Sequence, residues 1–342
     1  MKSFMKNLPI IKNKTILTYI CACALLIFSL ILGVLSGAYS ISLSKVLSAL
    51  FELDANTPEA RIILYVRLPR VLAALVCGAG LSVSGAVVQS VLDNRLASPG
   101  IIGVNSGAGL AVAICSAMGV VGTWKLSLSA FLGAFASAML VSVAVRKRGS
   151  SGGTIILMGV ALNSLLGAIS DTVVTLSPDV GVITNDFKVG DFSAVTYVKL
   201  IPVAIIVCAS LLLLFTLSNQ LDVMGLGEEN AVGLGLNVKA MRIIFLTLAS
   251  LLAGSVVSIA GLLSFVGLLV PHAVKRTCKS LHSFHTLPLC ALFGGGFVAL
   301  CDTLSRVIFS PYEIPVGIIM AFLGAPFFIF ILFKGKGGLG GA

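Results

Sequence analysis

Charge is what this chain most lacks. Of 342 residues only 11% are charged and 58% are hydrophobic, which leaves too little polar material to cover a water-soluble domain. No G-x-x-x-x-G-K-[ST] stretch occurs, and the tail GKGGLGGA has neither the spacing nor the preceding strand of a phosphate-binding loop, so the chain has no nucleotide machinery of its own. None of the eight cysteines, Cys21, Cys23, Cys77, Cys115, Cys208 and Cys290 among them, forms a C-x-x-C pair. They fall mostly in apolar runs and read as packing residues, which excludes a zinc site and a disulfide framework. Ionisable residues are also missing from the middle of nearly every apolar run, because Asp171, Asp302, Arg306 and His272 all sit at run ends. An ion-coupled carrier needs embedded carboxylates, His or Lys, or broken helices that coordinate its driving ion. No such relay is evident, so a secondary transporter is the weaker reading, and any transport is passive or powered by another protein.

What the chain has in abundance is apolar length. A crossing helix needs about 20 apolar residues to span roughly 30 Å of hydrocarbon. Ten such runs occur, at 15–35, 71–92, 101–121, 126–145, 154–174, 200–217, 240–260, 262–275, 287–305 and 316–333. The stretch from Ala240 to Val274 is too long for one crossing and is divided near Gly261 into a hairpin whose second arm is short. The expected fold is an all-α polytopic membrane protein of about ten transmembrane helices. Residues 15–333 form a single permease domain, 1–14 a cytoplasmic N-terminal segment and 334–342 a cytoplasmic tail. Ala38-Tyr39-Ser40 faintly resembles a signal-peptidase site, but the first run is longer than a signal h-region and is read as an uncleaved span.

An even number of crossings puts both termini on one side. Lys2, Lys6, Lys12, Lys14, Arg95, Arg146, Lys147, Arg148, Lys239, Arg242, Lys275, Arg276, Lys279, Lys334 and Lys336 share that side, whereas Glu52, Asp54, Glu59, Asp179, Asp186, Asp191 and Glu313 lie opposite. The Lys/Arg excess marks the cytoplasm, so both termini are expected there. The net charge of +10 is spread over these flanking loops, and with no basic patch on a folded domain nucleic-acid binding is excluded.

The spans are rich in small residues: Gly78, Ala79, Gly80, Ser82, Ser84, Gly85 and Ala86 in the second, Gly159, Ser164, Gly167 and Ala168 in the fifth. Small residues let helices approach closely or leave room for a water-filled path, and the sequence alone leaves both uses open. AGLSVSG at 79–85 and AGSVVSIAG at 253–261 lie in spans that run in opposite directions, which fits an inverted repeat of about five spans each. One polar stretch interrupts the apolar text, GLGEENAVGLGLN at 225–237, within a loop of about 219–239.

Three segments in order carry a family resemblance: RLPRVLAALVCGAGLSVSGAVVQSVLDNRLASPGIIGVNSGAG at 67–109; GEENAVGLGLN at 227–237; and GLLSFVGLLVPHAVKR at 261–276 with ALCDTLSR at 299–306 and EIPVGIIMAFLGAPFFIFIL at 313–332. The pattern resembles the FecCD or cobalamin-permease family, the membrane subunits of bacterial ABC importers for iron–siderophores, haem and cobalamin. In one turn Asn94-Arg95-Leu96-Ala97-Ser98-Pro99 has Arg95 where the family usually has Pro. That departure bears on the rigidity of the turn, while Pro99 still fixes a break before the third span.

The resemblance implies a ten-helix subunit in the bacterial cytoplasmic membrane, paired with a second permease subunit around a central path. It also implies a cytoplasmic ABC ATPase dimer, an extracytoplasmic substrate-binding protein, no catalysis, and no cofactor or metal on this chain. Ferric siderophore is the favoured cargo, with haem or cobalamin as alternatives. The polar loop becomes the ATPase-coupling loop, with Gly227, Glu228, Glu229, Asn230, Ala231, Leu234 and Gly235 at its centre; glycines allow sharp bends between short helices, and the glutamates suit a helix N-terminus or a basic partner. Arg67, Arg70 and Arg306 are implied to grip acidic residues of the binding protein, a task suited to the planar guanidinium fork; without the resemblance they read as interfacial snorkels. Ser84, Gly85, Gln89, Gly159, Asn163 and Gly167 are expected along the translocation path, with walls mainly from the second, fifth and tenth spans, and Trp at Gly159 or Gly167 is expected to block it without disturbing assembly. An intramembrane enzyme built on His272 with His282 and His285 is the remaining rival, and it lacks convincingly placed acids or thiolates.

Overall fold

The computed structural model describes residues 2–37, 41–52, 57–120, 122–146, 152–278 and 282–334, all helix and connection with no strand among them. In chain order the helices are α1 (Lys2–Leu35), α2 (Leu43–Glu52), α3 (Pro58–Ile62), α4 (Leu68–Val91), α5 (Val104–Ala117), α6 (Thr123–Arg146), α7 (Gly152–Leu176), α8 (Val180–Val189), α9 (Tyr197–Thr216), α10 (Ser218–Met224), α11 (Glu228–Gly233), α12 (Val238–Ala260), α13 (Val266–Thr277), α14 (Ser283–Val307) and α15 (Val316–Lys334). Seven helical stretches are long and apolar enough to cross a membrane, and Val104–Ala117 and Val316–Phe330 are shorter apolar helices. With the 12-residue α13 these account for the ten expected spans. Ala38-Tyr39-Ser40 and the tail beyond Lys334 lie outside the described residues.

Three boundaries differ from expectation for physical reasons. The second span begins at Pro58 instead of 71, since α3, a π-helical turn at Ile63–Arg67 and α4 run on as one stretch of 34 residues. Pro69 brings no N–H to the turn before it, and the wider π turn absorbs the missing bond; the Leu64 carbonyl accepts from the Tyr197 hydroxyl at 2.9 Å. The third span is a 14-residue helix behind an irregular 92–103 segment. The first helix continues back to Lys2, although its apolar part, Thr15–Leu35, coincides with the expected span. The run from Ala240 does divide at Gly261, whose φ of +69° ends α12 and opens an extended 261–265 break. Two short helices, α2 and α8, were not expected at all; α2 turns Val46 and Ala49 inward and Ser44, Lys45 and Ser48 outward.

The core is α4, ringed by α14, α12 and α13. Close approach is what its small residues provide. A Cβ on Gly78 would collide with the Gly294 carbonyl, and one on Gly85 with the Gly267 backbone. Freed hydroxyls then bridge the helices, Ser82 Oγ donating to the Cys290 carbonyl and Ser84 Oγ to the Ala249 carbonyl, both at 2.6 Å. Each such bond contributes about 0.6–1.7 kcal/mol. The two halves of the chain repeat one device in opposite directions: a long helix, an irregular break and a short helix, first as α4, 92–103 and α5, then as α12, 261–265 and α13. The first break meets the start of α13, where Gly267 lies against Pro99 and its carbonyl accepts from Gln89 Nε2 of α4 at 3.2 Å.

Candidate functional site

One end of the bundle gathers Arg67, Arg70 and Arg306. The last carbonyls of a helix have no partner within it, and at the end of α1 these two outer guanidiniums supply one. Arg67 Nη1 donates to the Val34 and Leu35 carbonyls at 3.0 and 2.8 Å. Arg306 donates to Gly33 through Nη2 and to Ser36 through Nη1, both at 3.1 Å. Arg70, between them, is held by carboxylates: Nε donates to Asp302 at 2.9 Å, Nη1 to Glu313 at 2.7 Å, and Nη2 lies 3.7 Å from Asp191. Asp302 also faces Arg306 Nη2 at 3.2 Å. All three arginines are at most 4% exposed. In the subunit by itself the three forks are used inside the chain, and the carboxylates on Arg70 that reach solvent are Glu313 and Asp191.

The opposite end carries the polar loop, which folds as α10 and α11. Gly227 at φ +92° and Gly235 at φ +83° make the bends on either side of α11, each with open space around it. Glu228 and Glu229 occupy the first turn of α11, where the helix dipole favours anions. Glu228 also meets Arg242 of α12 at 3.0 Å. Ala231 is fully buried beneath the loop, and Asn230 Nδ2 donates back to the Leu226 carbonyl at 2.8 Å. Asp222 of α10 accepts from the Ser283 N–H at 2.8 Å and faces His282 Nδ1 at 3.2 Å, which ties α10 to the start of α14. The loop is thus a small rigid fold fastened to two long helices. Its outer face shows Leu226, Val232 and Leu234, between 57% and 64% exposed, beside Glu229. Sequence reading missed Asp222 and Arg242, which nothing but proximity in space marks out.

Of the residues expected along the path, most are packing contacts. Ser84 and Gln89 are buried and hydrogen-bonded to helix carbonyls, and Gly85 lies against Gly267. A Cβ on Gly159 would strike the Ile101 carbonyl. Asn163, half-buried, donates to the Gly100 carbonyl at 3.0 Å and accepts from Ser106 at 2.5 Å. The second span is accordingly the core of the subunit. Gly167 alone among the glycines expected there faces open space. It lies beside an exposed stripe of α7 in which Ala161, Ser164, Ala168, Asp171 and Thr175 follow one another at helical spacing, continued toward the start of the helix by exposed Leu157 and Thr154. Asp171, at the arginine end of the stripe, pairs with Lys188 of α8 at 3.3 Å.

The three histidines do not converge. His285 meets the Tyr19 hydroxyl at 3.3 Å, His282 faces Asp222, and His272 lies on α13. Among the described residues no cluster of three or more His, Cys, Asp or Glu is placed to hold a metal.

The profile of the FecCD transport family matches residues 25–334. The chain is 35% identical over 324 residues to the iron(III)-citrate import system permease protein YfmD of Bacillus subtilis, covering 95% of this chain and 96% of that one. It is also 35% identical, over 280 residues, to the vitamin B12 import system permease protein BtuC of Yersinia enterocolitica, with 79% and 81% coverage. A metal-chelate type ABC transporter solved in an inward-facing conformation superposes with a TM-score of 0.82 at 28% identity, over 92% of this chain and 98% of that one. Similarity across this much of the chain, on a fold whose ends and breaks are those described above, establishes that the protein belongs to the FecCD transport family and is a permease subunit of an ABC importer, not an enzyme.

Proposed function

We propose that this subunit lines half of an alternating-access path for ferric siderophores in the bacterial cytoplasmic membrane, the other half coming from a second permease subunit, identical or paralogous. Both termini and the α10–α11 loop face the cytoplasm, in line with the Lys/Arg bias. A separate ATPase dimer seats on the exposed leucines and valine of α11 and its flanks, and moves α12 and α14 through the Arg242 and Ser283 attachments. The arginine end faces outward and receives the substrate-binding protein. Residues 15–333 act as one permease domain, with 1–14 and 334–342 as cytoplasmic extensions.

The observation that carries this reading is the exposed stripe of α7. A helix facing only lipid has no use for a line of Ala and Ser that reaches an aspartate, because a charge in hydrocarbon is expensive. The stripe suits a wet wall that a partner subunit completes. Smooth small-residue walls pass a bulky chelate without holding it, and selectivity then belongs to the binding protein. Iron is favoured as cargo because the relative named for iron(III) citrate matches over nearly the whole chain; the relative named for vitamin B12 keeps cobalamin as the second reading, with haem beside it.

Two expected outcomes test this. In a strain lacking the gene, restoring it should restore uptake of labelled ferric siderophore and leave haem and cobalamin uptake unchanged; restored cobalamin uptake alone would overturn the cargo. Gly167→Trp should abolish that uptake at normal membrane abundance, since its Cβ meets nothing within 4 Å, whereas Gly159→Trp should fail to accumulate because the Ile101 backbone occupies the space. Full uptake by the Gly167 variant would remove α7 from the wall.

A further inference from the structure

Asp302 is a carboxylate set inside an apolar helix, with its side chain 1% exposed and an arginine on either side. A buried carboxylate at that depth is tolerable only because it is paired, and both guanidiniums pair with it. Arg70, anchored there through Nε, spends its outward nitrogens on two carboxylates that reach solvent: Glu313 at 2.7 Å, 39% exposed, and Asp191 at 3.7 Å, 31% exposed. Those two stand on different segments. Glu313 lies between α14 and α15, and Asp191 follows α8. The Asp191 segment is itself laced to its neighbours by backbone: Asp191 N–H donates to the Ala260 carbonyl at 2.9 Å, Leu262 N–H to Phe187 at 3.0 Å, and Gly317 N–H to Gly190 at 3.2 Å. One guanidinium therefore gathers the end of α8, the α12–α13 break and the approach to α15. Its Nη2 makes no hydrogen bond, so the Asp191 contact is the loose one.

We propose that Asp302 is a positioning residue for transport: it fixes Arg70 as a buried pivot whose outer partners, Glu313 and Asp191, are exchangeable, so that loss of either contact frees the segment that carries it. The idea rests on the arginine end being the outer, docking face. Burial divides the roles, since Asp302 is sealed from any arriving partner while Glu313 and Asp191 are open to one. Drawing either of them off Arg70 frees its segment, and Asp302 keeps the arginine from following.

The test is hydrogen exchange of the full chain in lipid nanodiscs, comparing wild type, Asp302→Asn and the double variant Glu313→Gln/Asp191→Asn. Both variants should speed exchange roughly tenfold in segments 187–191, 260–265 and 308–317, with 218–237 at wild-type rates. Only Asp302→Asn should also touch 33–36, because Arg306 serves the end of α1. Wild-type rates in the outer segments, or equal acceleration of 218–237, would overturn the proposal. If Asp302→Asn yields no folded protein, the double variant decides it: outer segments loosened with 33–36 unchanged support the pivot, and unchanged outer segments refute it. In cells, Asp302→Asn at normal abundance should lose siderophore uptake, and normal uptake would overturn its role in transport. A wild-type chain that restores no uptake speaks against the functional reading instead, since the exchange pattern compares variants without cargo.

Discussion

Gly85→Val leaves no folded permease in the membrane. The added Cβ falls on the carbonyl and Cα of Gly267, atoms of the backbone that no rotamer change can move. α13 would have to withdraw from α4, breaking the Gln89 bond to the same carbonyl and opening the junction of the first break with α13. Overpacking a well-packed core costs about 1–3 kcal/mol where side chains can yield, and here the obstacle is main chain on both sides. Alanine at this position already meets the collision, so Gly85→Ala should lower the melting temperature of the solubilised protein and its yield, with valine abolishing both. Gly167→Ala, with open space around it, is the matched control and should behave as wild type. A Gly85→Ala protein that melts with wild type would show that α4 and α13 are less tightly joined than the structure has them.

If the α10–α11 loop seats an ATPase as proposed, Val232→Asp with Leu234→Asp should separate the subunit from it while leaving the subunit itself intact. Both side chains are more than half exposed on the outer face of the loop, so neither supports the fold. Burying each against a partner is worth about 1.5–3 kcal/mol. Losing both and adding two charges should therefore weaken the complex by roughly a hundredfold to ten-thousandfold. The readout is ATPase recovered on the tagged permease, together with cargo uptake, against an unchanged melting temperature. Undiminished recovery would place the coupling surface elsewhere. Glu228→Gln is a milder variant, because Glu228 serves the loop's attachment to Arg242 and not its outer face.

The long helices were legible in the sequence because a crossing needs so many consecutive apolar residues that little else produces the pattern. What escaped was short or relational. α2 and α8 have ten residues each, too few to register against a span-length window. The destinations of Arg70 lie 232 and 243 positions away along the chain, so nothing beside it in the sequence announces that its guanidinium is buried and paired within the subunit. Glycine was ambiguous for a different reason. Gly85, Gly159 and Gly167 are chemically identical, and only the neighbouring backbone distinguishes a helix contact from an open wall. The polar loop stood out by its four glycines and two adjacent glutamates between apolar spans, but those residues alone suit a solvated loop, and its coupling role came only with the family resemblance.

The arginine caps on α1 bear on how the protein is made. Thr15–Leu35 leaves the ribosome well before α14, yet two of the carbonyls at its end wait for Arg306, 270 and 273 positions later. At about 5–20 residues per second that interval is on the order of fifteen seconds to a minute. Until then, of the two guanidiniums, the helix has only Arg67 at its tip, and a nascent chain that stops short of α14 leaves those carbonyls without Arg306. A helix made late thus completes the end of one made early.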